Sequence, residues 1–194
     1  MNTAMNTDAV DLAGQLARAA RTLLDHAGRE ALAGKRELPT PCADFDVHRL
    51  SEHLLGTLVA GAHAAAKEQL PAGAPGPLTE APWIVFPPLV GRLADAWAEP
   101  SAWEGETPFF GSTRPAPFGG MITIMELTVH GWDLATATGR SFTTDDDVVA
   151  TAAAVAARIA EGARASGAFG PEAEPAPDAT PLERLLALTG RKVA

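Results

Sequence analysis

The chain has 194 residues, 46% of them hydrophobic and 20% charged, which is enough for one domain over residues 1–194 with a substantial core. Twenty-four Asp and Glu against 15 Lys and Arg give a formal net charge of -9, which opposes phosphate binding and argues against nucleic acid as a partner. The one cysteine, Cys42, cannot form an internal disulfide, and no apolar run reaches the roughly 20 residues that span a bilayer.

The N-terminal MNTAMNTDAV lacks the basic-then-apolar pattern of a secretion signal, so a cytoplasmic protein away from membranes is expected. Tyr is absent, and 16 Pro and 18 Gly cluster between the periodic stretches, the mark of helices joined by proline-rich connections.

In chain order, Val10, Leu12, Leu16, Ala20, Leu23 and Leu24 recur near helical spacing and predict a first helix over about residues 8–32. ELPTPCADFD interrupts it, and Asp44 or Asp46 can cap a second helix carrying VHRLSEHLLGTLVAGAHAAAKEQL, with His53 on the face of Leu50, Leu54 and Thr57. Residues 71–88, with several prolines, predict a loop that packs back on the body. A third helix is expected over about residues 89–99, followed by a connection of more than a dozen residues, EPSAWEGETPFFGSTRPAPFGG. A fourth helix is expected over about residues 121–138, with Gly139 as its C′ residue. A fifth begins near Thr144, whose following Asp145, Asp146 and Asp147 suit a helix N-terminus, and a short amphipathic helix over about residues 182–188 ends an acidic, proline-rich arm. The fold class is all-α.

Chemistry concentrates in MELTVHGWDLATATG, residues 125–139. Glu126 and His130, four positions apart, share one helical face with Ile122, Val129 and Ala137, which read as core, so the polar pair needs an internal partner. With His53, the two core-facing helices offer two imidazoles and a carboxylate, a donor set that suits Zn²⁺, Ni²⁺ or Fe²⁺ and leaves positions for water or substrate. A cation gives a buried carboxylate its reason to be there. Spacing alone is a weak signal for metal, and it also allows a Glu and a His bonded to each other and to water. Asp133, on or near the same face, reads either as a hydrogen-bond partner of a ligand imidazole or as a packing contact.

The strings TPCADFDVHRLSEHLLG and MELTVHGWDLATATG, with AFGPEAEPAPDATPLERLLALTGR near the C-terminus, resemble the actinobacterial metal-binding proteins related to the N-terminal domain of mycothiol-dependent maleylpyruvate isomerase, in the DinB/YfiT-like superfamily. The resemblance covers nearly the whole chain. It implies a DinB-like four-helix bundle with long crossover loops and a short C-terminal helix, one divalent metal (Zn, Ni or Fe) held by His53, Glu126 and His130, and mycothiol as a possible thiol cofactor. The implied chemistry is a metal-activated thiol attacking a small electrophile. The full isomerase carries a further C-terminal domain, so a mycothiol-dependent S-transferase or isomerase-like activity is expected rather than maleylpyruvate isomerisation itself. The alternatives are a metal-dependent hydrolase using bound hydroxide, or a non-catalytic bundle that binds metal or a small molecule. The expected partners are a small electrophile and a low-molecular-weight thiol, with a homodimer through a helix face as a further possibility.

Arg114, in the long loop before the motif helix, is the candidate cofactor-binding residue, able to meet a carboxylate of a substrate or of a mycothiol-like cofactor; its other reading is a solvated loop arginine. Trp83, Phe86, Trp103, Phe109, Phe110 and Phe118 occupy the long connections and are candidates either for a pocket mouth or for closing the bundle, with the metal expected beneath those loops. Cys42 reads as structural, His48 and His63 as solvent-exposed, and His26 has no metal argument.

Overall fold

The computed structural model of the protein describes residues 2–43 and 45–193, with seven α-helices among them: α1 (Asn2–His26), α2 (Arg29–Leu32), α3 (Val47–Ala65), α4 (Pro82–Ala98), α5 (Ala116–Ala137), α6 (Asp146–Ala165) and α7 (Pro181–Leu188). The mostly helical fold agrees with the all-α expectation. α5 is apolar on nearly all sides, as a helix must be when neighbours cover it all round, and it packs against α1, α3 and α6. α4 closes against α1 and α3, and α7 lies on α6. Leu16, Leu23, Leu50, Leu54, Leu58, Phe86, Leu93, Trp97, Ile124 and Leu127 are wholly buried among these helices. Among the described residues, no helix is long and apolar enough to cross a membrane.

Several boundaries follow from local chemistry. Asp46 caps α3 by accepting the Arg49 N–H at 2.7 Å; Asp44, the other candidate cap, lies outside the described residues. α5 ends as expected, with Gly139 at φ 73° and the Arg140 N–H turned back to the Ala135 carbonyl at 2.8 Å. α7 starts with a capping box in which Thr180 and Glu183 bond each other's backbone N–H groups.

Three expectations are corrected. The first helix does not run on to residue 32: it stops at His26, and Gly28, extended at ψ 162°, separates it from the four-residue α2. The stretch at residues 82–88 is helix, not loop. Pro82 stands in the first turn, where its missing N–H is no loss, while Pro87 and Pro88 lie exposed and the apolar Phe86, Leu89, Val90, Leu93 and Trp97 set the buried face that decides the outcome. The connection after α4 is shorter than expected, because α5 begins at Ala116 rather than near residue 121. It holds a 3-10 turn (Pro100–Trp103) and a hairpin of β1 (Glu106–Phe109) and β2 (Ser112–Pro115), with Phe109 paired to Ser112. Phe110 at φ 47° and Gly111 at φ 76° form its two-residue turn, the left-handed conformation that suits the twist of a tight hairpin.

Trp97 near the end of α4 and Trp103 in the 3-10 turn close the helices, whereas Phe110 at the hairpin turn is exposed. Trp97 donates its indole N–H to the Gly61 carbonyl at 2.9 Å, and Trp103 donates to the Trp97 carbonyl at 2.7 Å, so both are buried with their polar atom satisfied.

Candidate metal centre

α3 and α5 pack side by side, and this contact brings His53 to the face of α5 that carries Glu126 and His130. One turn of helix separates Glu126 from His130, so both side chains reach the same point between the helices. His53 Nε2 lies 2.8 Å from Glu126 Oε2, and His130 Nε2 lies 3.4 Å from the same oxygen. The two rings meet edge to face with centroids 4.7 Å apart. His130 and Asp133 are buried, while Glu126 and His53 are half-buried and give the cluster its open side.

The other nitrogen of His130 is also committed. Its Nδ1 lies 2.9 Å from Asp133 Oδ2, and Asp133 has no exposed surface. Arg191 donates from Nε to Asp133 Oδ1 at 3.3 Å and from one terminal nitrogen to Oδ2 at 2.8 Å; its second terminal nitrogen donates to the Thr189 carbonyl at 3.0 Å. A chain of contacts thus runs from Arg191 through Asp133 and His130 to Glu126 and His53.

The electrostatics follow from this chain. Burial alone would raise the Glu126 pKa, but hydrogen bonds from His130 and His53 outweigh it and hold the carboxyl well below its usual range. Asp133 is likewise pushed up by burial and held down more strongly by His130 and Arg191. Burial lowers the His130 pKa, yet its hydrogen bonds to Asp133 and Glu126 raise it to about 9. In the absence of a cation, His130 is an imidazolium bridging two carboxylates.

The donor set fits a divalent metal. Two imidazole nitrogens and one carboxylate oxygen lie within 4.8 Å of one another. Donors that share a metal at about 2.0–2.2 Å stand roughly 3 Å apart, close to the two separations seen here. When Nε2 gives up its proton to a cation, Asp133 keeps the remaining proton on Nδ1 and leaves a lone pair at Nε2, which is how a carboxylate prepares a ligand imidazole.

The cluster lies on the wall of a cavity of about 340 Å³, whose remaining lining includes Phe45, Met125, Val129, Ile159, Phe169 and Arg191. Pro41, Cys42, Ala43 and segments 167–170 and 189–191 complete the lining, and the two long connections do not contribute: Trp83, Trp103, Phe109, Phe110 and Phe118 are not among its lining residues. The expectation that the centre lies beneath those aromatic loops is thereby corrected, because the hairpin packs on α3 and α5 elsewhere along their length.

Arg114 stands on β2, bonded to Ser112 and 6.0 Å from the centre of the Phe109 ring, and it does not line this cavity. His48 is half-buried, with Arg36 at 2.7 Å and Glu52 at 3.5 Å, and His63 is half-buried beside Glu68 at 3.4 Å. Neither joins the cluster. His26 is buried against Phe142, with ring centroids 5.3 Å apart.

Two neighbours of the centre escaped the reading of the sequence. Cys42 lines the cavity and, with His130 and Asp133, brings a sulfur, a nitrogen and an oxygen within 4.8 Å of one another. That second grouping is a poor cation site, because both Asp133 oxygens already face the Arg191 guanidinium. Arg191 itself had a signal in TGRK: glycine just past a helix turns the chain back, so the next residue returns toward the body.

Comparison with family models, with curated proteins and with solved structures returns no match to this chain.

Proposed function

We propose that the protein is a divalent-metal-dependent enzyme of the DinB-like four-helix-bundle kind, an S-transferase or isomerase-like catalyst that uses a low-molecular-weight thiol such as mycothiol against a small electrophile. The observation that carries the metal reading is the convergence of His53 Nε2, Glu126 Oε2 and His130 Nε2 beside an open cavity. The thiol reading is supported by the likeness of TPCADFDVHRLSEHLLG and MELTVHGWDLATATG to metal-binding proteins related to the N-terminal domain of mycothiol-dependent maleylpyruvate isomerase, and by a cavity large enough for a small substrate.

His53 and His130 supply neutral nitrogen donors and Glu126 a negative charge that offsets part of the cation's. Asp133 keeps the remaining proton of His130 on Nδ1. Phe45, Val129, Ile159 and Phe169 give the cavity apolar walls that limit water around the reacting sulfur. A metal held by these residues would supply Lewis acidity, which lowers the pKa of a thiol and favours its nucleophilic form at neutral pH.

The test is elemental analysis of the purified protein, followed by titration of the cobalt-substituted form with mycothiol or a cysteine analogue. Stoichiometric metal with an absorption shift on thiol addition is the expected result. A metal indifferent to thiols would turn the reading toward a hydrolase or a structural site, and failure to take up metal after reconstitution would end it.

A further inference from the structure

Arg191 is 4% exposed, and a buried guanidinium needs a reason. Its position is dictated by the end of α7. The Gly190 N–H bonds the Ala187 carbonyl at 3.0 Å, the Arg191 N–H bonds the Leu186 carbonyl at 2.8 Å, and Gly190 takes φ 90°. This paired closure reverses the chain after the helix and directs Arg191 inward. Gly190 in turn rests on the backbone of Gly170, so the end of α7 is seated against the segment that follows α6.

We propose that Arg191 is a positioning residue of the metal centre: its fork on both oxygens of Asp133 fixes the carboxylate that orients His130, so the turn after α7 is a working part of the site. The inference rests on the metal reading above. A carboxylate held by one hydrogen bond can rotate about its terminal torsion, which is broad for Asp. Two contacts from one planar guanidinium remove that freedom. His130 Nδ1 then has a stationary acceptor, and Nε2 is aimed at Glu126 and His53. Lys cannot reproduce the fork, having a single nitrogen, although it keeps the charge.

The experiment compares the full-length wild type with Arg191→Met and Arg191→Lys, using Co²⁺ alone as the probe. The dissociation constant and the visible absorption of the Co²⁺ complex are read together with the melting temperature of the metal-free proteins. Arg191→Met is expected to weaken Co²⁺ binding by about 10–100-fold and to alter the band intensity, in line with loss of an outer partner of a ligand histidine. Arg191→Lys should recover part of the affinity. A wild-type dissociation constant and spectrum in Arg191→Met, with only a lowered melting temperature, would reduce Arg191 to a structural role and overturn the inference. A wild type that takes no Co²⁺ would instead overturn the metal reading. If Arg191→Met lacks a cooperative melt, Arg191→Lys and the near-isosteric Asp133→Asn carry the comparison, and wild-type affinity and spectrum in both would overturn the inference.

Discussion

His130 Nδ1 stands 2.9 Å from Oδ2 of Asp133, a carboxylate with no exposed surface. That contact leaves Nε2 as the working atom of the ring, and Nε2 faces the Glu126 oxygen that also meets His53. The cluster is asymmetric as a result: His130 is held from behind, whereas His53 comes from a different helix.

The ligand assignment separates two histidines by position. His130→Ala is expected to abolish stoichiometric metal uptake, and His63→Ala, whose ring pairs with Glu68 away from the cavity, is expected to leave it unchanged. Elemental analysis after reconstitution and dialysis checks this. Equal loss in both variants would sink the assignment.

The raised pKa of His130 sets the pH behaviour of the metal-free protein. A folded value above the unfolded one means that the protonated form stabilises the fold; this contribution is complete below about pH 6.5 and fades as pH rises through about 9. Glu126 and Asp133 are shifted down, so their contribution is complete above about pH 4.5 and is lost as pH falls through their folded values. The metal-free melting temperature is expected to decline from neutrality toward pH 10, and His130→Gln should flatten that decline. Nε2 cannot hold a proton and a metal together, so Co²⁺ affinity is expected to rise by up to about tenfold per pH unit on approaching the raised His130 pKa. Calorimetric melts and Co²⁺ titrations across that range test both statements, and a pH-independent affinity would contradict the second.

The helices that carry the centre were legible because their apolar residues repeat at helical spacing and their ends carry ordinary signals, Asp46 before α3 and Gly139 after α5. Glu126 and His130 were legible as a pair for the same reason: four residues apart on a core-facing helix. What could not be read was anything set by contacts distant in sequence. Arg191 meets Asp133 across 58 positions, and nothing local to either residue announces the other. The hairpin was masked by the prolines within TPFFGSTRP, although a glycine in the second position of its turn was a usable sign. The start of α4 was masked by the same residue type, since proline content argues for a loop until burial of Phe86 and Leu89 outweighs it.

That balance in α4 can be measured. Pro88 lies in the helix interior, exposed, and its missing N–H leaves the Ile84 carbonyl without its helical donor. Pro88→Ala restores that donor at the cost of a freer unfolded chain, a term of about 1 kcal/mol or less, against a helix preference of about 3 kcal/mol. The melting temperature is expected to rise, with Co²⁺ affinity unchanged because α4 does not line the cavity. A fall would show that the prolines hold a bend that the packing of α4 requires.

Gly190 offers the sharpest test of the turn that delivers Arg191. A Cβ there would stand 2.7 Å from the Gly170 Cα and 2.8 Å from its carbonyl carbon, and the backbone is already at φ 90°. Gly167 has a similar φ of 79° but nothing within 4 Å of an added Cβ. Gly167→Ala should therefore show the left-handed cost alone, about 1–2 kcal/mol. Gly190→Ala should add the clash with a backbone that cannot swing aside. For a chain of this size, each kcal/mol lowers the melting temperature by about 2–4 °C, so Gly190→Ala is expected to melt several degrees below Gly167→Ala. It should also weaken Co²⁺ binding, because moving Gly190 moves Arg191 off Asp133, while Gly167→Ala should leave affinity near wild type. Equal melting temperatures and equal affinities in the two variants would mean that the segment after α6 yields to the extra atom and that the contact between the two glycines does not seat the turn.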